Sequence, residues 1–519
     1  MNILEEPFFS VITGTGGARL SLPGLLAALG KDDVRSIVRL RRHQADAFHV
    51  FLCYLAGLCL AREGQPNPVQ PEEFWLQAMR RLSGGNDDSA WTMVVEDPEK
   101  PAFMQPPVVS KKFFEDNFKP KAATPDGLDT LITSKNHDMK IAMAKADELE
   151  LWAMALISMQ TMSPYSGRYN YGIARMNSGS GSRPFVSLIY NSSPGARWRR
   201  DCAKLIEARP QILKSHPYKD DGHALLWTLE WDLKSSLSLD SLDPFFIEIS
   251  RAVRIVDANG SILAMGAPTD SVRIEAKEFK GHVGDPWIPV KTKNTDEVRS
   301  ALTVSESGFT ARLLRDLIFQ EGYEQSFMSR PDKGRGGGDC LFHASVLAGG
   351  NCKTNGFHEA RIMIPPKAAG IVSHDSSKKN ELAELSKKGI EYAGQIQNRF
   401  LKMAILSLLE GGPERIDINK REASSWRDKA AESYSRRWED EYFPWLWDSV
   451  DKTHDEAELD WLKRLKQFAL DVLHEAMDSL PKRSGMGYRA KVRAEGLLMG
   501  GIFKNYPQLK ERPDADSSN

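Results

Sequence analysis

The sequence has little cysteine, and none of it is spaced as metal ligands usually are. Its 519 residues include 5 cysteines and no CxxC pair, at positions 53, 59, 202, 340 and 352. An odd, scattered set of this kind predicts reduced thiols in a cytosol and argues against a disulfide framework or a thiolate zinc site. We therefore expect no bound metal and no other cofactor.

An excess of charge of one sign and a long hydrophobic run are missing as well. Lysine and arginine number 69 against 70 aspartates and glutamates, so any nucleic-acid contact must come from local patches. The longest apolar stretch, Ala45 to Ala61, is interrupted by Asp46, His49 and Gly57, which predicts a segment too short and too polar to span a bilayer. The start, MNILEEPFF, lacks the basic and apolar regions of a signal peptide. We expect a soluble cytoplasmic protein without membrane contact.

The most distinctive stretch that is present runs from residue 161 to 186, TMSPYSGRYNYGIARMNSGSGSRPFV. It interleaves tyrosines and arginines among glycines and small hydroxyl residues: Tyr165, Tyr169, Tyr171, Arg168, Arg175 and Arg183. Glycine lets a backbone approach a ligand closely, arginine supplies a planar cationic fork, and tyrosine offers a flat face with a polar tip. The mixture suits a nucleic-acid backbone or groove. By composition alone, an ordinary surface loop whose tyrosines lie on the domain beneath it is the favoured interpretation.

A second distinctive stretch is LAGGNCKTNGFHEARIMIP at 347–365. Gly349–Gly350 and Asn355–Gly356 bracket a tight excursion, and an extended apolar segment leads away from it. The pattern predicts a projecting hairpin with amide and cationic side chains at its tip, which could serve as a wedge or a groove probe. A β-turn that only reverses the chain is the usual meaning of Asn-Gly, so this alternative stays open.

The succession of helical and strand patterns predicts an α+β fold. A long core helix is expected at 34–60, from apolar residues at helical spacing. Strand-like segments fill 225–290, with a hairpin turn at Asp257–Gly260. From Glu381 onward, four amphipathic helices with short connections indicate a bundle. We predict a large mixed domain over 1–375 with an antiparallel β region, a C-terminal four-helix bundle over 376–508, and a disordered polar tail over 509–519.

Five short motifs follow one another in a recognisable order. They are MNILEEPFFSV at the N-terminus, PAFMQ at 101–105, SPYSGRYNYG at 163–172, GGNCKTNGFHEARI at 349–362 and SGMGYRAKVRAEGLLMGGIFKNY at 484–506. In this order they resemble the CasA large subunit of type I-E Cascade, the CRISPR RNA-guided surveillance complex. Each motif is short, so the specific signal is their order and spacing, and the resemblance covers essentially the whole chain.

The resemblance implies a non-catalytic subunit of an antiviral defence complex. Such a subunit recognises the protospacer-adjacent motif of duplex DNA from the minor groove and wedges the duplex open, so that the guide RNA can pair and an R-loop can form. The implied partners are the backbone and small subunits of Cascade, the guide CRISPR RNA, target double-stranded DNA and a recruited helicase-nuclease. Readout of the minor groove is degenerate, so one site could accept several related motifs.

The resemblance also assigns roles to particular residues. The glycine loop of the family falls on Ser166, Gly167, Arg168 and Tyr169, and its wedge falls on Lys353, Thr354 and Asn355. A minor-groove lysine aligns with Lys277 or Lys280, and the choice between them stays open. The loop that docks the subunit onto the complex falls near 133–140, with Asn136 as the best candidate. This chain departs from the family in having Asn355 where a longer glutamine is common, and in the bulk of Arg168 and Tyr169.

Two other classes of function remain alternatives. One is a metal-dependent nuclease that uses His137, Asp138, His343 or His358, although these residues show no ligand spacing in the sequence and would have to converge through the fold. The other is a scaffold subunit without DNA contact.

Overall fold

The chain folds into two compact units, one of which carries the strands and the other a helical bundle. The computed structural model describes residues 1–85, 87–129, 148–165, 167–177, 183–292, 299–332, 339–350, 353–374, 376–412, 424–479 and 486–510. The first unit comprises Met1–Phe309, Gly322–Gly334 and Cys340–Met363, and the second comprises Thr310–Glu321, Arg335–Asp339 and Ile364–Asn519.

The strands are short, apart from a final long pair. They are β1 (Phe9–Thr13), β2 (Gly16–Leu20), β3 (Val34–Ile37), β4 (Lys119–Ala122), β5 (Pro184–Ile189), β6 (His223–Leu225), β7 (Leu237–Ser238), β8 (Leu242–Ile247), β9 (Ala252–Ala258), β10 (Ser261–Ala267), β11 (Ile274–Glu275), β12 (Val290–Lys291), β13 (Ser300–Ala301), β14 (Tyr323–Glu324), β15 (Cys340–Gly350) and β16 (Lys353–Ile364).

These strands form several small sheets. Those with three strands have the orders β2-β1-β3, β4-β10-β9, β13-β12-β14 and β16-β15-β5, while β11 pairs with β7 and β6 with β8 in parallel. The β9–β10 hairpin turns at Asn259 and Gly260, which both have positive φ. This confirms the hairpin predicted at Asp257–Gly260, because Asn and Gly tolerate the left-handed backbone that a tight turn requires.

The helices of the first unit surround a core rich in tryptophan. They are α1 (Leu22–Gly30), α2 (Arg42–Arg62), α3 (Glu72–Leu82), α4 (Lys111–Asn117), α5 (Pro125–Leu128), α6 (Leu149–Met162) and α7 (Pro194–Ser215). Helix α7 begins where Ser193 accepts a hydrogen bond from the Ala196 amide and Pro194 occupies the first turn, which are both typical of helix N-termini. Trp75, Trp198 and Trp287 are among the fully buried side chains.

Helix α2 differs from the sequence prediction at its start. The helix expected from residue 34 begins at Arg42, because Val34–Ile37 forms a strand that pairs with β1. By length and composition α2 could also cross a membrane, contrary to the expectation for 45–61, but most of it is buried inside the first unit. Its apolar surface is therefore used for packing in the core.

The second unit is a bundle of long helices, as predicted. Its elements are α8 (Ala311–Phe319), α9 (Pro366–His374), α10 (Ser376–Gln395), a π-helical turn (Ile396–Leu401), α11 (Lys402–Leu409), α12 (Ser424–Asp448), α13 (His454–Ser479) and α14 (Met486–Asn505). Trp445 stacks on Trp461 with ring centroids 4.5 Å apart. A Cβ atom at Gly389 would lie 2.7 Å from the Trp445 ring, so only glycine allows α10 to approach this pair so closely.

Candidate nucleic-acid interface

The hairpin predicted from the sequence is the pair β15–β16, and it projects from the end of a sheet. Val346 of β15 lies opposite Pro184, the first residue of β5. Strand β15 then continues through Leu347–Gly350 without β5 beside it. It extends in the direction from which the chain enters β5, and that entering chain is the glycine-rich loop at 164–183. The end of that loop, at Arg183, therefore lies at the end of the sheet from which the hairpin projects.

Asp46 of α2 fixes the base of this hairpin. Its buried carboxylate lies 2.8 Å from His343 Nε2 and accepts a hydrogen bond of 2.5 Å from Ser345 Oγ, both on β15. Arg197 of α7 donates to its other oxygen at 2.9 Å. Burial by itself raises the pKa of Asp46, but the charges of His343 and Arg197 and these hydrogen bonds lower it overall, far below its ordinary value. A charged, fully bonded carboxylate in the core holds β15 in one position.

Strand β16 is attached to α2 by a second carboxylate. Glu359 is largely buried and pairs with Arg42 of α2. His343 lies between the two carboxylates, with its Nδ1 atom 3.7 Å from Glu359 Oε1. Both strands of the hairpin are thus bonded to one helix. The side chains of Lys353, Thr354 and Asn355, at the start of β16, lie outside the described residues.

Hydrogen bonds join the glycine loop to Thr269 and Asp270, in the segment that follows β10. Gly167 has a φ of 109° and its carbonyl accepts a hydrogen bond from the Asn170 amide. The Tyr169 carbonyl accepts one from the Thr269 amide at 3.4 Å, and the Tyr171 hydroxyl donates to the Asp270 carbonyl at 3.1 Å. Ser166 lies outside the described residues.

The exposed side chains at the tip of this loop are aromatic and cationic. The Arg168 guanidinium lies 4.8 Å from the centre of the Tyr169 ring. Tyr165 and Tyr169 are 37% and 38% exposed, so part of each ring is accessible to a ligand. Exposed rings beside a guanidinium can stack on bases or contact phosphates.

The other two arginines of the stretch have a structural role. Arg175 pairs with Glu248 at 3.0 Å and with Asp285 at 3.2 Å, and Arg183 pairs with Asp285 at 2.6 Å. All four side chains are at most 3% exposed. These ion pairs fix the far side of the loop to the core, so Arg168 is the arginine of this stretch that remains free to meet a ligand.

A short turn with two lysines lies beside the loop. Lys277 and Lys280 are both exposed, on a 3₁₀ turn that ends with Lys280 in the left-handed conformation. A Cβ atom at Gly281 would lie 2.5 Å from the Met176 carbonyl carbon, in the backbone of the loop. The turn therefore packs directly on the loop. Nothing in this geometry distinguishes Lys277 from Lys280.

Of the residues suggested for a metal-dependent nuclease, His343 and His358 are described, and neither belongs to a group of metal-ligating side chains among the described residues. Asn136, His137 and Asp138 lie outside the described residues. His343 is bonded within the hairpin base, and His358 lies against Gly308. Among the described residues, three metal-ligating side chains do converge elsewhere, at His49, Cys53 and Asp201. The sequence analysis missed this group because α2 and α7 are far apart in the chain.

Comparison with known proteins shows what this fold is. No family model matches the chain, and no curated protein matches it. Solved structures match over its whole length. Cse1 from Acidimicrobium ferrooxidans is 13% identical, with a TM-score of 0.65, covering 98% of this chain and 99% of that one. CasA from Thermus thermophilus is 12% identical, with a TM-score of 0.63, covering 97% of this chain and 99% of that one. Cse1 from Thermobifida fusca is 10% identical, with a TM-score of 0.59, covering 98% of this chain and 99% of that one. The chain has the CasA fold, which confirms the resemblance and the fold class predicted from the sequence.

Proposed function

We propose that this chain, which has the CasA fold, is the non-catalytic large subunit of a cytoplasmic type I-E Cascade complex. In this proposal it recognises the protospacer-adjacent motif and opens the duplex beside it. The observation that supports this best is the packing of the lysine turn on the loop at Gly281 and Met176, together with the entry of that loop into β5 beside the hairpin strand β15. A single duplex could meet all three.

Recognition of the motif rests on the loop and the lysine turn. The minor groove is narrow and offers few distinguishing groups, so a reader needs a backbone that can approach closely. Gly167 offers such a backbone, while Arg168, Lys277 and Lys280 offer positive charge to the flanking phosphates. The choice of motif then depends on the loop backbone, and affinity depends on the cations.

Opening of the duplex rests on the hairpin. Separating a base step costs a few kcal/mol, so the inserted element must resist being pushed aside. The buried attachment through Asp46 gives the hairpin that resistance, and the ion pair of Glu359 with the exposed Arg42 adds to it. In this proposal Lys353, Thr354 and Asn355 enter the duplex at the first base pairs, where the guide RNA starts to pair. The other Cascade subunits, the guide RNA and a recruited helicase-nuclease complete the reaction.

Charge removal at the interface tests DNA contact by this chain. In complex reconstituted with guide RNA, we expect Arg168→Gln, Lys277→Gln and Lys280→Gln together to weaken binding of a matched duplex. A plot of log K against the logarithm of the salt concentration has a negative slope. The magnitude of that slope should fall by about 0.9 for each phosphate that the variant no longer neutralises. Binding is measured by fluorescence anisotropy at several salt concentrations.

The matched control removes three exposed cations from the bundle, at Arg436, Lys429 and Lys463. It should leave the affinity and the salt slope unchanged. Interface variants that bind like wild type would support the scaffold alternative. Metal-dependent cleavage of the duplex by the isolated chain would support the nuclease alternative.

A further inference from the structure

A group of metal-ligating side chains lies in the core of the first unit, between α2 and α7. His49 and Cys53 lie one turn apart on α2, and Asp201 and Cys202 are neighbours on α7. His49 Nε2 is 2.8 Å from Asp201 Oδ2 and 3.5 Å from Cys53 Sγ. The donor atoms of these three residues all lie within 4.8 Å of one another. The Cys202 thiol interacts with the Cys53 thiol, although it is not one of the three donor atoms that all lie within that distance of one another.

We propose that His49, Cys53 and Asp201 bind one structural zinc ion, and that Cys202, whose thiol interacts with that of Cys53, turns in as the fourth ligand. Tetrahedral zinc takes ligands at about 2.0–2.3 Å, which places a nitrogen and a sulfur ligand about 3.5 Å apart and a nitrogen and an oxygen ligand about 3.3 Å apart. The observed separation of His49 Nε2 from Cys53 Sγ is 3.5 Å. The separation of Nε2 from Asp201 Oδ2, 2.8 Å, needs to open by only about half an ångström.

Hydrogen bonding satisfies these donor atoms unequally. His49 Nε2 faces both the Asp201 carboxylate and the Cys53 thiol. A protonated ring nitrogen donates its one hydrogen to the carboxylate, and the thiol sulfur at 3.5 Å receives at most a weak share of it. A cation placed among the donor atoms would satisfy all of them at once.

The surroundings suit a bound zinc ion. Two thiolates and one carboxylate around a divalent ion leave one negative charge. Arg200 donates to Asp201 Oδ1 at 2.8 Å, which offsets that charge and leaves Oδ2 free to face the site. Such an outer partner orients a ligating carboxylate. Burial raises the pKa of the Cys53 and Cys202 thiols, and a zinc ion would reverse this by binding them as thiolates.

The site would also support the base of the hairpin. Asp46, His49 and Cys53 follow one another at helical spacing on α2, as Arg197 and Asp201 do on α7. The ion would therefore cross-link the same two helix faces that meet in the Asp46–Arg197 ion pair. Because the four side chains are almost fully buried, the metal would enter during folding.

The test is the metal content of the purified full-length chain, measured by inductively coupled plasma mass spectrometry after dialysis without chelator and with thiols reduced. We expect one zinc per wild-type chain and almost none in Cys53→Ala or Cys202→Ala. Cys59→Ala is the matched control, since Cys59 lies on the same helix, is 1% exposed and belongs to no such group among the described residues. It should keep the full zinc content.

Two results would overturn the proposal. One is a wild-type chain that carries no metal and takes up none when Zn²⁺ is titrated into it. The other is a folded Cys53→Ala chain that keeps its zinc. If the ligand variants do not fold, wild-type chain loaded with Co²⁺ decides, because thiolate ligands give a near-ultraviolet charge-transfer absorption. Its absence would also overturn the site. These readouts are independent of the proposed DNA function.

Discussion

At the scale of single residues, burial separates arginines that look alike in the sequence. Arg168 is exposed beside Tyr169, whereas Arg175 and Arg183 are buried in ion pairs with Glu248 and Asp285. The stretch itself could be recognised by its composition. The division of roles could not, because the acidic partners lie 73 and 102 positions further along the chain.

Gly281 offers a test of the contact between the lysine turn and the loop. It has a φ of 76°, and a Cβ atom there would meet the Met176–Asn177 backbone. We expect Gly281→Ala to lower the free energy of unfolding by about 1–2 kcal/mol from backbone strain and by about 1–3 kcal/mol more from overpacking. Urea titration followed by tryptophan fluorescence measures the change.

The control for this variant is Gly64→Ala. Gly64 has a φ of 63° and nothing within 4 Å of its Cβ position, so the substitution introduces the strain without the clash. Its destabilisation should be about 1–2 kcal/mol. Equal destabilisation of the two variants would mean that the lysine turn does not press on the loop.

At the scale of elements, the sequence predicted a hairpin but not how it is attached. The Gly-Gly and Asn-Gly pairs predicted a turn between them, but Asn355 and Gly356 lie within β16, which already begins at Lys353. Asp46 holds β15 through His343 and Ser345, and it lies 299 positions before Ser345 in the chain. In the sequence Asp46 is merely an interruption of an apolar helix. Its purpose becomes visible only when β15 is placed beside α2.

Ser345→Ala tests whether this attachment stiffens the hairpin. The variant removes one hydrogen bond to a charged carboxylate and should cost about 1.5–3 kcal/mol. We expect faster amide hydrogen exchange in β15 and β16, and slower strand opening by the reconstituted complex. Binding to the protospacer-adjacent motif should change little, since the loop and the lysine turn are intact.

Ser187→Ala is the control for this element. Ser187 lies opposite His343 on the neighbouring strand β5, is buried, and donates a 3.4 Å hydrogen bond to the adjacent Leu188 carbonyl. Its removal should leave exchange in the hairpin unchanged. If both variants behave alike, the carboxylate of Asp46 does not hold the hairpin in place.

At the scale of the whole molecule, long amphipathic helices were the most predictable part. The bundle was apparent from apolar periodicity, because each helix buries one face in its own unit. Helix α8 was not predicted, although it belongs to the second unit. Arg315 on α8 donates to Ser386 Oγ of α10 at 2.8 Å. The two residues lie far apart in the chain, so no local sequence pattern predicts this contact. The same reason explains why His49, Cys53, Asp201 and Cys202 were not grouped from the sequence.

The balanced charge of the chain is consistent with a local interface. With 69 basic and 70 acidic residues, the chain has no general attraction for DNA. Contact would then rest on a few exposed cations, for which Arg168 on the loop and Lys277 and Lys280 on the lysine turn are the candidates.

Photo-crosslinking tests most directly whether the loop and the hairpin act on one duplex. Chains with benzoylphenylalanine in place of Tyr169 or Asn355 are assembled with guide RNA and companion subunits, and are then irradiated with end-labelled target DNA. We predict crosslinks from position 169 within the protospacer-adjacent motif and from position 355 at the adjoining first base pairs. Crosslinks from 355 that are absent, or that lie far from those of 169, would contradict the account.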